Sequence, residues 1–164
     1  MKWILLGGIV VLFGGLVFWR SHSSKSEYVN GLVAYRDLPN RQYIFERDCY
    51  IFKFKDQNTD WPLVASHLTV PDLPEEVTDQ NVGADLPKVR ILGVARTGDR
   101  FKIVSVRRDT KGGAQDITFE ILFMDEATRK YPRLDAFWII DHSAEAQGLA
   151  PSLRPDYAAD RPDR

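Results

Sequence analysis

His22, His67, His142 and Cys49 are the residues whose types could carry metal or nucleophilic chemistry. Zinc needs three or four converging donors, and one cysteine supplies neither the thiolate cluster of a structural site nor an intrachain disulfide. Asp141 lies beside His142, but neighbouring strand residues project to opposite faces and reach one ion only through a bend. No metal and no cofactor are expected. Cys49 with His67 or His142 would form a nucleophile and its base. No G-x-S-x-G elbow supports this, and Lys111-Gly112-Gly113 lacks the strand-to-helix setting of a phosphate loop. Burial is the commoner fate of a lone cysteine among aromatic neighbours such as Tyr50 and Phe52, so the expectation is a protein that is not an enzyme.

Charge is the next candidate for chemistry. The net charge is −1, which gives no global attraction to nucleic acid or an anionic surface. Locally, Lys88, Arg90, Arg96, Arg100, Lys102, Arg107, Arg108 and Lys111 stand against only Asp99 and Asp109. The preceding stretch holds Asp72, Glu75, Glu76, Asp79 and Asp85. Such a basic hairpin could dock an acidic partner or anionic headgroups, or it could be neutralised by the acidic loop on one solvated face. Arg96, Arg107 and Arg108 are the candidate partner contacts. Among aromatics, Trp61 and Trp138 could line a peptide groove, and Trp138 joins the candidate contacts. No stacking motif of alternating basic and aromatic residues points to nucleic acid.

These groups must be positioned by something, and the clearest element is at the N-terminus. Trp3 to Trp19, WILLGGIVVLFGGLVFW, has no charge, amide or hydroxyl, and would span about 26 Å as a helix. Indoles at both ends, with Lys2 and Arg20 beyond them, suit the two interfaces of a bilayer. A cleaved export signal is the competing reading. Bulky Phe18-Trp19-Arg20 stands where a small-residue cleavage site should be. Gly7, Gly8, Gly14 and Gly15 recur at a spacing of seven, which would let a second helix approach closely. Arg20 and Lys25 set against Lys2 and the amino terminus weigh mildly against an exported domain, but a short N-terminus inside favours it. The expectation is a single pass through the inner (cytoplasmic) membrane, with residues 1–26 as anchor and spacer and the domain in the periplasm or otherwise extracytoplasmic.

Residues 27–143 follow a two-residue apolar period. Tyr43-Ile44-Phe45 and Tyr50, Phe52 and Phe54 read as strands, with a turn at 57–60 before Leu63–Val70. Residues 71–88 fit no regular element. Lys88–Thr97 and Arg100–Arg108, joined through Gly98-Asp99, read as a hairpin. Ile117, Phe119, Ile121 and Phe123 share one face of the clearest core strand. One helical turn is expected within 126–134, stopped at Pro132, and Ala136–Asp141 (AFWIID) as a closing strand. From Ala144 to the end, Pro, Asp, Ala and Arg predominate, and a disordered tail is expected. With 44% hydrophobic residues, the domain can close a core unaided.

The stretch VRILGVARTGDRFKIVSVRRD, followed by two strands ending in DAFWIID, resembles the strand-turn-strand pattern of bacterial SH3-like domains. The match covers about fifty residues. The acidic insertion and the strands before residue 71 depart from that family, and an OB-like barrel describes the pattern nearly as well. The fold class is therefore mainly β: an N-terminal transmembrane helix, then a small antiparallel SH3-like or OB-like barrel or sandwich. The resemblance implies a binding role, and the layout implies a membrane-anchored protein-binding module. Its partners would be the lipid bilayer and other membrane protein subunits, as an accessory subunit of an envelope complex. A membrane-held immunity protein that neutralises a toxin and a wall-associated hydrolase are the rival readings.

Overall fold

The computed structural model describes residues 24–57, 61–111, 114–124, 131, 133–147 and 150–161. The apolar stretch 3–19, its four glycines and His22 lie outside these residues, as does most of the turn expected within 126–134. Among the described residues no helix is long and apolar enough to cross a membrane.

The chain is mainly β. Its strands are β1 Ser24–Tyr28, β2 Gln42–Phe45, β3 Cys49–Phe54, β4 Leu63–Ala65, β5 Val89–Ala95, β6 Arg100–Lys111, β7 Ala114–Phe123, β8 Leu134–Asp135, β9 Ile140–Asp141, β10 Ser152–Leu153 and β11 Ala158–Asp160. Nine of them form one sheet in the order β11-β2-β6-β7-β8-β4-β3-β5, with β1 on the β6 edge that also holds β2; β9 and β10 pair separately. β4 and β8 run parallel, at Leu63 and Asp135. β6 is the spine, because β7 pairs along its whole length while β2 takes its first residues and β1 its last.

Alternation decides the core as expected: Ile117, Phe119, Ile121 and Phe123 are all buried on the inner face of β7. They pack with Phe45, Phe101, Ile103, Ile51 and Val64 in the main cluster. Phe45 stacks between Phe101 and Phe123 at centroid distances of 4.5 and 5.7 Å. β3 is buried on both faces over its first four residues, whereas β5 buries Val89, Ile91 and Ala95 and leaves Arg90 exposed. Tyr50, Phe52, Leu63, Val89 and Ile91 form a second cluster, roofed by Val70 and Leu73 of the acidic loop. That loop has only one short 3-10 turn, Asp79–Asn81, in agreement with its sequence.

Four expectations are corrected. β3 and β4 do pair as an antiparallel hairpin, with the second strand confined to Leu63–Ala65 rather than running to Val70, but β5 and β6 do not pair with each other. β5 pairs with β3, five places away from β6. Gly98, at φ 91°, instead turns the chain sideways. Its N–H donates to the Phe45 carbonyl, the Phe45 N–H donates to that of Asp99, and the Asp99 carboxylate accepts from the Arg96 N–H. The Asp99 N–H closes the turn on the Arg96 carbonyl at 2.9 Å, but the Asp99 carbonyl and the Arg96 N–H, which would make the return bond of a hairpin, are spent on β2 and on a side chain.

The sheet also does not close into a barrel: β11 and β5 stand at its two ends. It must nevertheless curl. Five strand spacings span about 24 Å when flat, whereas Ala95 to Arg100 reaches at most about 17 Å.

AFWIID is not one strand. The Asp135 carboxylate accepts the Phe137 N–H at 2.9 Å, an Asx-type bond that winds Phe137–Ile139 into a 3-10 turn before β9. The segment expected as a tail is part of the fold from 150 to 161, with Tyr157 fully buried and β11 paired to β2. A few anchoring side chains suffice for this, although the average composition of the stretch is polar.

Candidate functional site

The most densely charged place in the interior lies where β6, β7 and β8 meet β1. Register puts Ser105 opposite Glu120, and Arg107 opposite Thr118. The Glu120 side chain is wholly buried and accepts from the Ser105 hydroxyl, from the Tyr28 hydroxyl at 3.2 Å and from Arg133 at 2.8 Å. Arg107 lies 3.5 Å from Glu120, 3.1 Å from Asp135 and 3.1 Å from Asp109. Asp135 accepts from the Thr118 hydroxyl as well. Burial holds the Asp135 carboxyl above the usual aspartate range, and the bonds from Thr118, the Phe137 N–H and Arg107 offset this only in part. Two buried acids bridged by one guanidinium, with their acceptor oxygens already engaged, make a clamp across β6, β7 and β8, which β1 joins through the Tyr28 hydroxyl.

Arg107 is therefore spoken for inside the protein. Arg108 bonds Glu27 of β1 at 3.4 Å. Arg96 bridges Asp48 and Asp79, each at 2.8 Å, and so ties the acidic loop to the start of β3. Burial opposes ionisation of Asp48, but the Thr97 N–H, the Arg96 guanidinium and the Thr97 hydroxyl outweigh it and hold the carboxyl below its usual range. Lys88 with Asp72 at 3.1 Å and Lys55 with Asp85 at 2.9 Å continue the pattern. Of the basic run, Lys88 and Arg96 thus pair with the acidic loop, whereas Arg107 and Arg108 are held by Glu120, Asp135 and Glu27. Trp138 sits half-buried in the 3-10 turn, 5.4 Å from Phe137 and 6.1 Å from Phe54, and packs on the second cluster. The four candidate contacts are not brought to one surface point: Arg107 and Arg108 belong to the β1 clamp, Arg96 to the loop junction and Trp138 to the outer cluster.

Cys49 is a core thiol. It is fully buried at the head of β3, with its Sγ 3.7 Å from the Arg47 carbonyl. Burial pushes the thiol up to about 12, so it stays protonated at neutral pH and is a poor nucleophile. His142 stacks on Phe137 at 4.6 Å, its Nε2 3.2 Å from the Phe137 carbonyl. Among the described residues no three His, Cys, Asp or Glu side chains group as metal ligands.

His67 has a different setting. Arg47, Asp48, Ser66, His67, Leu68, Glu75, Glu76 and Val77 line a cleft of about 450 Å³. Its floor is organised by the C-terminal segment. Tyr157 bonds Ser66 at 2.6 Å and Thr69 at 3.2 Å, with Arg47 4.9 Å over its ring. Asp48, on the cleft wall, accepts the Thr97 N–H at 2.8 Å. The cleft therefore lies at the Arg100 end of β6, while Ser24, where the N-terminal stretch joins the fold, pairs with Lys111 at the other end. The 12 residues of β6 extend roughly 36 Å.

No family model, curated protein or solved structure matches this chain.

The cleft was not legible in the sequence. His67 stood out only as one of three histidines, and the residues that line the cleft come from three separate segments. Glu120 and Asp135 carried no signal either, because a charged residue on the second face of a strand reads as solvated until β1 and β8 are placed beside it.

Proposed function

We propose that this chain is a membrane-anchored protein-binding module, an accessory subunit of an envelope membrane complex that receives its partner at the His67 cleft. The observation that carries this reading is polarity of layout: the apolar N-terminal stretch enters at one end of β6 and the His67 cleft of about 450 Å³ opens at the other. Leu68, 59% exposed on the cleft rim, offers apolar contact. Glu75 and Glu76, both exposed and in no ion pair with the basic strands among the described residues, offer negative charge. A partner segment that pairs a Lys or Arg with a bulky apolar side chain fits that combination. The resemblance to SH3-like domains favours a binding role by analogy alone.

The basic strands contribute stability rather than docking. An electrostatic partner surface at Arg107 and Arg108 would have to break the β1 clamp first. Photo-crosslinking from a probe at Leu68 in native membranes tests the reading, with the same probe at Gln115, near the opposite end of β6 and β7, as the comparison. A discrete adduct with a membrane protein from Leu68, absent from Gln115, is expected. No adduct from Leu68, or equal adducts from both positions, would overturn it.

A further inference from the structure

Of the large apolar side chains exposed among the described residues, three crowd into one short segment: Tyr28 is 60%, Leu32 45% and Val33 79% exposed. The segment is not a loose loop. Val29 and Tyr35 are buried on either side, the Val29 N–H donates to Val106, and the Asn30 side chain accepts the Val106 N–H at 2.6 Å. The Tyr35 and Arg36 N–H groups both donate to the Leu32 carbonyl, which closes a turn with Leu32 and Val33 on its outside. Side chains of this kind, held outward by a fixed backbone, mark a contact surface.

Resting on the membrane-anchor reading above, we infer that this knuckle lies on the lipid bilayer itself, so that the domain reclines on its β1 edge. The length of chain before the fold singles out lipid as the occupant. Only residues 20–23 separate Trp19 from the first residue of β1, a reach of roughly 17 Å at full extension. β1 adds about 13 Å to Tyr28, so a domain lying along the surface brings the knuckle to headgroup depth without stretching the link. A tethered apolar surface meets lipid at a far higher effective concentration than any dilute protein.

Charge identifies the kind of contact. The cations around the knuckle are self-paired, Lys25 with Glu27 at 3.0 Å, Arg36 with Asp37 at 3.6 Å and Arg41 with Asp160 at 3.9 Å. Insertion of Leu32 and Val33 is therefore apolar and independent of anionic lipid. Reclining also turns the His67 cleft sideways, toward neighbouring proteins in the same membrane.

The test places a polarity-sensitive thiol label at Val33→Cys in the full chain reconstituted in vesicles, with nitroxide-quencher lipids. The native Cys49 is buried and stays unlabelled. Leu68→Cys and Val10→Cys, the latter within the apolar stretch, are the comparisons. Quenching at 33 severalfold above that at 68, equal in phosphatidylcholine and phosphatidylglycerol-containing vesicles and unchanged by salt, is expected. Quenching at 10 with 33 no different from 68 would overturn the inference and leave the anchor standing. Quenching at neither 10 nor 33 would overturn both. A blue shift at 33 without lipid quenching would assign the knuckle to a second copy or a protein partner, and dependence on anionic lipid would overturn the apolar contact.

Discussion

The Tyr157 hydroxyl lies 2.6 Å from Ser66 Oγ and ties the last turn of the fold to the end of β4. Arg47 and Arg154 also approach the same ring, at 4.9 and 5.2 Å. Tyr157→Phe is expected to cost about 1–2 kcal/mol by stranding Ser66, and Tyr157→Ala about 3–5 kcal/mol by emptying the site. Urea denaturation of each variant measures both. A chain truncated after residue 149 should lose more than either variant, whereas an unchanged midpoint would mean that the C-terminal segment is dispensable.

Arg107→Met leaves Glu120 and Asp135 in the interior without their shared cation. Breaking a buried pair from one side costs about 3–5 kcal/mol, so the variant should unfold at much lower denaturant. Adding Asp135→Asn and Glu120→Gln should restore part of the loss, because the stranded charges are then gone. A fully stable Arg107→Met would show that the clamp adds nothing to the hold of β6, β7 and β8 on one another.

Gly98 and Gly31 offer a matched pair. A Cβ at either position meets nothing within 4 Å, but only Gly98 has a positive φ. Gly98→Ala should cost about 1–2 kcal/mol through backbone strain, whereas Gly31→Ala should be neutral or slightly stabilising. Thermal midpoints of the two variants settle the comparison.

Two aspartates should bend the stability–pH curve in opposite senses. The Asp48 carboxyl is held below its ordinary value of 3.8 in the fold, so its stabilisation is present above that pH and is lost as the pH falls through the folded value. The Asp135 carboxyl is held above 3.8, so its contribution is present below that pH and is lost as the pH rises through the folded value. Asp48→Asn should flatten the acid limb. Asp135→Asn should remove the opposing slope. Denaturation midpoints across the acid range read both.

Local pattern was legible wherever one face of a strand met the core. The four alternating apolar residues of β7 and the hairpin from β3 to β4 were read correctly because each signal lies within a few residues. Pairing between distant strands was not, since Gly98-Asp99 carries the marks of a hairpin whether its hydrogen bonds return to β5 or pass to β2. AFWIID misled for a related reason: the bond from Asp135 to the Phe137 N–H is invisible to apolar periodicity. The C-terminal segment was obscured by averaging, because Leu153, Tyr157 and Ala158 anchor it while the residues around them are polar. Arg96, Arg107 and Arg108 stood out by charge, but their partners Asp48, Glu120, Asp135 and Glu27 come from elsewhere in the chain.

Alkaline carbonate extraction of native membranes, combined with the intact mass of the recovered chain, tests membrane anchoring most directly. A chain that retains residues 3–19 and stays in the membrane pellet is expected. A mature chain beginning near residue 24 and released into the supernatant would contradict it.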